Sequence, residues 1–282
     1  MKDISWKKAA HPDMIFFCDT QQNRAAYSDT ATWNGLELNM HEQLIQFLSR
    51  FLSDERLQLI EEKLRSRTRQ LVLVLEDIYQ SQNGAACLRS AEAFGLQDVH
   101  IIENSNKFAR HKNIQRGAEK WLTIHRYNKL EQNTQLCLEK LKSAGYQLVA
   151  TTPQSKRLSY WNAAVGYSKP PPSEIPATNL QSCDLSRKTA LLIGTEKTGL
   201  SDCALQLADC SLTIPTCGFT ESLNLSASTA ICLQALSQRL RNLKIDWQLT
   251  TTEQQRLRYE WIRKTIGYRA DSLEAEFARR RE

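Results

Sequence analysis

The segment Leu71-Val-Leu-Val-Leu75-Glu-Asp-Ile-Tyr-Gln-Ser-Gln-Asn83-Gly-Ala-Ala-Cys-Leu-Arg89-Ser-Ala-Glu-Ala-Phe-Gly95 governs the reading of the whole chain. Its first five residues are a continuous apolar run. Alternation is expected of a strand with one face in water, so an unbroken run predicts a strand covered on both sides, as in a parallel sheet. A polar loop follows, and then a helix from about Gly84 to Phe94. Asn83 is placed to cap its start and Gly95 to close its end.

The same alternation extends outward. Val99–Ile102, Gln147–Thr151, Thr189–Ile193 and Leu212–Ile214 read as further strands, and Lys129–Ala144 and Leu223–Arg241 as helices. Strands alternating with helices predict an α/β domain, a mainly parallel sheet with helices on both faces. Upstream, Leu44, Ile45, Leu48, Phe51 and Leu52 recur at helical spacing, and Ser53 is placed to cap a second helix carrying Leu57, Ile60 and Leu64. That helix has a basic face: Arg56, Lys63, Arg65, Arg67 and Arg69. Downstream, Glu253–Ile266 reads as a last helix before a charged tail ending Arg279-Arg-Arg281. Tyr167–Pro172, with three consecutive prolines, reads as a rigid connector. Residues 1–40 show no sustained period, only Met14–Phe17 and Ala31–Trp33 as aromatic-bearing stretches.

The chain has 282 residues, 41% of them hydrophobic, enough for a core and too many for a disordered protein. No run approaches the roughly 18 apolar residues of a membrane span, and the polar Met1–His11 is unlike a secretory leader. Thirty-seven basic residues against 31 acidic ones give a net charge of +6, which permits a polyanionic partner without requiring one. The eight cysteines include no C-x-x-C pair. They read as reduced core thiols of a cytoplasmic protein, and no metal site is expected.

In open α/β sheets ligands bind beyond the carboxyl ends of the strands, and three such ends carry chemistry-bearing residues. Asp77–Arg89 offers Asn83 and an arginine that Glu92 could orient, although from this segment alone a cap and a surface Arg89–Glu92 ion pair is the more ordinary reading. Ile193-Gly-Thr-Glu-Lys-Thr-Gly-Leu-Ser201 sets Gly194 and Gly199 around a polar loop, with Ser201 placed to cap the next helix. It matches neither phosphate-loop nor dinucleotide fingerprint and alone could be a plain turn. Ile214-Pro-Thr-Cys-Gly-Phe-Thr-Glu-Ser-Leu-Asn-Leu-Ser226 leads into a helix rich in small residues, which suits close backbone passage or simple tight packing.

In this order and spacing, the three segments resemble the motifs of the SpoU/TrmH branch of the SPOUT RNA methyltransferases, over roughly residues 50–245. Within the branch, the helix Glu55–Arg67, the Gly-Thr-Glu-Lys-Thr-Gly loop and Trp261-Ile-Arg-Lys264 look like the group that methylates a tRNA guanosine. Two features depart from that group: an N-terminal extension over 1–45, and the pair Arg239 and Arg241, displaced by one place. The resemblance implies a lead-in helical segment over 46–70, a methyltransferase domain over 71–245 whose C-terminal part is a deep trefoil knot, and a C-terminal helix and tail over 246–282. It implies a cytoplasmic homodimer that moves a methyl group from S-adenosylmethionine to a ribose 2′-hydroxyl of RNA without a metal. The resemblance gives the central role to Arg89, with Asn83, Glu196, Ser222 and Asn224 expected to shape the site. Thr151, Gly194, Glu196, Gly199, Ile214, Gly218, Leu223 and Asn224 would hold the cofactor, and Arg56, Lys63, Arg65, Arg67, Arg239, Arg241, Arg263 and Lys264 the RNA. A ribosomal-RNA enzyme and a non-catalytic RNA-binding protein are the alternatives; intact Asn83, Arg89, Glu196 and Asn224 argue against the latter.

Overall fold

The computed structural model describes residues 35–108, 117–130, 132–152, 176–219 and 222–280. The stretches Met14–Phe17 and Ala31–Trp33, Cys18 and the Tyr167–Pro172 connector lie outside them. The chain divides into two units, Met1–Gln43 and Leu44–Glu282. Of the first, the described residues are the opening turns of helix α1 (Gly35–Ser49); everything below concerns the second.

Among the described residues, seven strands form one sheet in the order β3-β2-β1-β6-β4-β7-β5, and every neighbouring pair is parallel. They are β1 (Leu71–Glu76), β2 (Asp98–Ile102), β3 (Thr123–Tyr127), β4 (Gln147–Thr151), β5 (Ala177–Thr178), β6 (Thr189–Ile193) and β7 (Cys210–Leu212). Central β1 explains its apolar run: Leu71, Leu73 and Leu75 enter the core on one face of the sheet, and Val72 and Val74 the core on the other. The first core is closed by α3 (Ser81–Ala93) and α6 (Leu225–Asn242), the second by α4 (Asn133–Ser143) and α5 (Asp202–Leu207). A third cluster joins Leu48, Leu64, Leu257, Trp261 and Leu273 from α1, α2 (Asp54–Arg65), α7 (Thr251–Ile266) and α8 (Ala270–Arg279).

Caps account for several boundaries. Ser53 accepts from the Arg56 amide and Ser201 from the Ala204 amide, as their sequence positions predict. Thr250 and Glu253 close a reciprocal capping box that starts α7. Gly95 ends α3 at φ +81°, and a Cβ there would lie 2.6 Å from the Ser66 carbonyl oxygen, so glycine is required on both counts.

Four expectations need correction. Asn83 is not a cap: α3 begins two residues earlier, after the extended Gln80, so Asn83 sits in its first turn. The strand expected at Leu212–Ile214 lies at Cys210–Leu212, where it pairs with Val149–Thr151 of β4. The helix expected from Lys129 starts at Asn133, whose side chain accepts from the Leu130 amide and donates to the Leu130 carbonyl. Most of the expected charged tail is helix α8, and strands β3 and β5 were not expected.

Candidate active site

The carboxyl ends of β1, β6, β4 and β7 bring the three loops together at the point where the strand order changes direction, the usual ligand position in such a sheet. Asn83 of α3 donates from Nδ2 to Glu196 Oε1 at 2.9 Å and to Gln80 Oε1 at 3.1 Å. Asn224 donates to Asn83 Oδ1 at 3.3 Å, while its own Oδ1 accepts from the Ser226 amide and hydroxyl at 2.9 and 2.6 Å and so caps α6. One hydrogen-bonded chain, Asn224–Asn83–Glu196, therefore ties together segments separated by more than a hundred residues. Glu196 Oε2 is buried without a hydrogen-bond partner among the described residues.

Beneath this chain, buried Glu76 at the end of β1 holds the second loop in place. It accepts from the Ser201 amide and hydroxyl at 2.9 and 2.7 Å, and from Thr134 at 2.6 Å. Asp77 has a left-handed φ of 54°, and its Oδ1 collects the amides of Asn104, Ser105 and Asn106 at 2.8–2.9 Å. Sequence reading passed over both carboxylates, although two acids directly after an apolar strand were a usable signal. Gly194 belongs to the same architecture. A Cβ on it would lie 2.1–2.3 Å from the backbone of Gly199 and Leu200, so the glycine serves the folding of its own loop, where Thr195 and Gly199 exchange backbone bonds of 2.9 and 3.1 Å.

The other expected residues divide. Thr151 lies at the end of β4, its hydroxyl donating to the Leu192 carbonyl at 2.7 Å. Ile214 is half-buried, and Gly218, Ser222 and Leu223 are exposed on the third loop. Arg89 is exposed on α3 with no hydrogen bond or ion pair among the described residues. Six residues along a helix turn through about 600°, so Arg89 lies about 120° round from Asn83 rather than on its face. Nor does Glu92 orient it: that carboxylate binds Arg67 at 2.6 Å.

Several cations expected on RNA are engaged within the fold. Arg67 is 3% exposed, donates to the Leu96 carbonyl at 2.8 Å, and lies 5.1 Å from the Trp261 ring centroid. Burial lowers its pKa, and Glu92 opposes that shift. Arg239 holds the carbonyls of Leu180 and Cys183 at 2.7 and 2.8 Å, and Arg241 that of Phe94 at 2.8 Å. Arg263 is bound to Asp271 and Glu274, and Lys264 lies 3.8 Å from Glu260. Arg56, Lys63 and Arg65 are exposed on α2. A cleft of about 420 Å³ lined by Lys63, Arg67, Glu92, Gly95 and Arg241 lies at the far end of α3 from Asn83. It is therefore separate from the three-loop site.

A parallel sheet whose strand ends gather three polar loops through shared asparagine and glutamate side chains defines a ligand-binding α/β enzyme fold. The model of the SpoU rRNA methylase family matches residues 70–234, more than half of the chain, and the chain belongs to that family. Among its relatives is a tRNA (guanosine(18)-2′-O)-methyltransferase of Borreliella burgdorferi, 36% identical over 222 residues that cover 79% of this chain and 91% of that one. Its namesake in Thermus thermophilus is 28% identical over 73% of this chain and 94% of its own length. The structure of the A. aeolicus TrmH/SpoU tRNA modifying enzyme superposes with a TM-score of 0.60 at 25% identity, covering 76% of this chain and 98% of that one. The likeness read from the three motifs is thereby borne out. No helix among the described residues is long and apolar enough to cross a membrane.

Proposed function

We propose that this protein transfers the methyl group of S-adenosylmethionine to a ribose 2′-hydroxyl in tRNA, at a guanosine of the D-loop. The observation that carries this reading is the Asn224–Asn83–Glu196 chain, which makes one site of three motifs. The residues present suit the cofactor: three adjacent strand ends supply backbone groups, Ile214 and Leu223 supply apolar cover, and Glu196 Oε2 is a buried acceptor in want of a donor. S-adenosylmethionine, when bound, supplies an electrophilic methyl group on a sulfonium.

The remaining work falls to this chain. Asn83 and Asn224 are held by their mutual bond and by the start of α6, so they present a fixed polar edge to the ribose. Arg89, permanently charged and without a partner among the described residues, holds a substrate phosphate and stabilises the alkoxide developing on the 2′-oxygen. Its proton passes to that phosphate or to water, because a guanidinium is a poor base. Arg56, Lys63 and Arg65 hold the RNA backbone.

The working unit is a cytoplasmic homodimer. Ala227 and Ile231, one turn apart on α6, are exposed, and Leu223 just before the helix adds to that apolar face, the kind a second copy covers. The chain after β6 passes through a loop to form a trefoil knot. The test is transfer of labelled methyl from S-adenosylmethionine to total tRNA and to ribosomal RNA, with the nucleotide mapped. Label in a tRNA guanosine is expected; label in ribosomal RNA alone overturns the tRNA assignment. Light scattering that gives a monomer mass removes the dimer.

A further inference from the structure

We infer that Tyr79 and Lys197 form a stacking platform that receives the nucleobase of the methylated nucleotide. The inference rests on the RNA-methylation reading above and adds to it the part of the site that grips the base. Tyr79 lies in the β1–α3 loop and is 65% exposed, an unusual position for a large ring in the loop that leads into the site. The Lys197 ammonium lies 5.8 Å from its ring centroid, and this is the ring's one such contact among the described residues. The pair is fixed beside the polar chain from both sides. Tyr79 precedes Gln80, whose Oε1 accepts from Asn83, and Lys197 follows Glu196, which accepts from the same Asn83 amide group.

The chemistry of that pair suits a base. A cation over one part of an aromatic ring is drawn to its negative face, and the ring keeps exposed surface for a second partner. Nucleobases stack on such rings whatever their sequence, and the lysine adds charge attraction for the flanking phosphate. A 2′-oxygen can be presented reproducibly only when its nucleoside is held at the base as well as at the ribose.

The test compares wild-type enzyme with Tyr79→Ala, Tyr79→Phe and Lys197→Met. Each is assayed for RNA affinity and kcat/KM on intact tRNA, and for affinity on the same tRNA lacking the base of the target nucleotide. Tyr79→Ala should lower affinity and kcat/KM on intact tRNA roughly 5- to 150-fold, the loss of one base–aromatic stack. Tyr79→Phe should stay near wild type, and Lys197→Met should lose about 2- to 5-fold. On the abasic tRNA, wild type and Tyr79→Ala should bind equally, and S-adenosylmethionine affinity should not change. Equal losses for Tyr79→Ala on both RNAs, or none on either, overturn the platform. A wild-type enzyme that transfers no methyl group to tRNA overturns the reading beneath it, and the platform with it.

Discussion

The two ends of α3 use the same kinds of side chain in opposite ways. Near its start, Asn83, Glu196 and Asn224 hold one another in place yet leave Glu196 Oε2 without a donor, and Arg89, further along, has no partner among the described residues. Near its end, Arg67 is enclosed by Glu92, the Leu96 carbonyl and Trp261, while Arg241 holds the Phe94 carbonyl. Just beyond, Arg69 binds Asp98 at 2.5 Å and Glu253 at 2.7 Å. An arginine whose donor positions the fold has filled is scaffold, and one whose donors are left unfilled stays available to a ligand.

Exchanging the two arginines' fates is the sharpest test of that contrast. Arg67→Ala leaves Glu92 without its cation and strips the Trp261 face, so stability should fall by about 3–5 kcal/mol in denaturant titration. Methyl transfer by the folded fraction should be little altered. Arg89→Ala should do the reverse, with an unchanged unfolding midpoint and transfer reduced roughly 10²- to 10³-fold, the scale for losing one donor to developing charge. If Arg67→Ala is stable but inactive, the division between the two ends fails.

A further effect separates the sheet's far edge from the site. His100 is buried, stacked on His125 at 4.5 Å, and faces Tyr127, Asp98 and Lys140. Burial, aided by His125, pushes its pKa down to about 3. The folded protein therefore resists protonation that the unfolded chain accepts near pH 6.5, and stability falls as pH drops below that value. By pH 5 this amounts to about 2 kcal/mol. Thermal melts across pH 5–7 should show the slope, and His100→Gln should flatten it. A wild-type melting temperature constant over that range would mean that His100 titrates freely.

The smallest effect concerns the exposed cations of α2. Neutralising Arg56, Lys63 and Arg65 should weaken tRNA binding and flatten its salt dependence by roughly 0.7–0.9 of log–log slope per lost contact. The same change at Arg239, whose donors already hold carbonyls, should leave the slope unaltered.

Residue pattern disclosed the sheet's centre and missed its margins. β1, β2, β4 and β6 are covered on both faces, and each therefore carries a run of apolar residues long enough to read, even where β2 also buries Asp98 and His100. β3 reads Thr-Ile-His-Arg-Tyr because it is half-exposed at the edge, where a strand needs no apolar run. α8 was legible in principle, since Ala270, Leu273 and Phe277 fall on one helical face, but its charges masked them. The motifs located Asn83, Glu196 and Asn224 without showing how they meet, because those contacts exist only once distant strands are aligned. The basic run from Arg56 to Arg69 failed for a related reason. It continues past the end of α2 at Arg65, so its last two members turn inward.

The position of β6 has a consequence for how the protein is made. Leu73 finds its partner Val99 early, since β1 and β2 are near in sequence, but its neighbour on the other side is Leu191, 118 positions later. At roughly 5–20 residues per second, a ribosome needs on the order of ten seconds to deliver that partner. Throughout that interval one long edge of the most apolar strand in the chain stands open to any other unpaired strand. Nascent chains of this protein are therefore most vulnerable to aggregation between the completion of β2 and the emergence of Ile193, and a chaperone would need to act within that window.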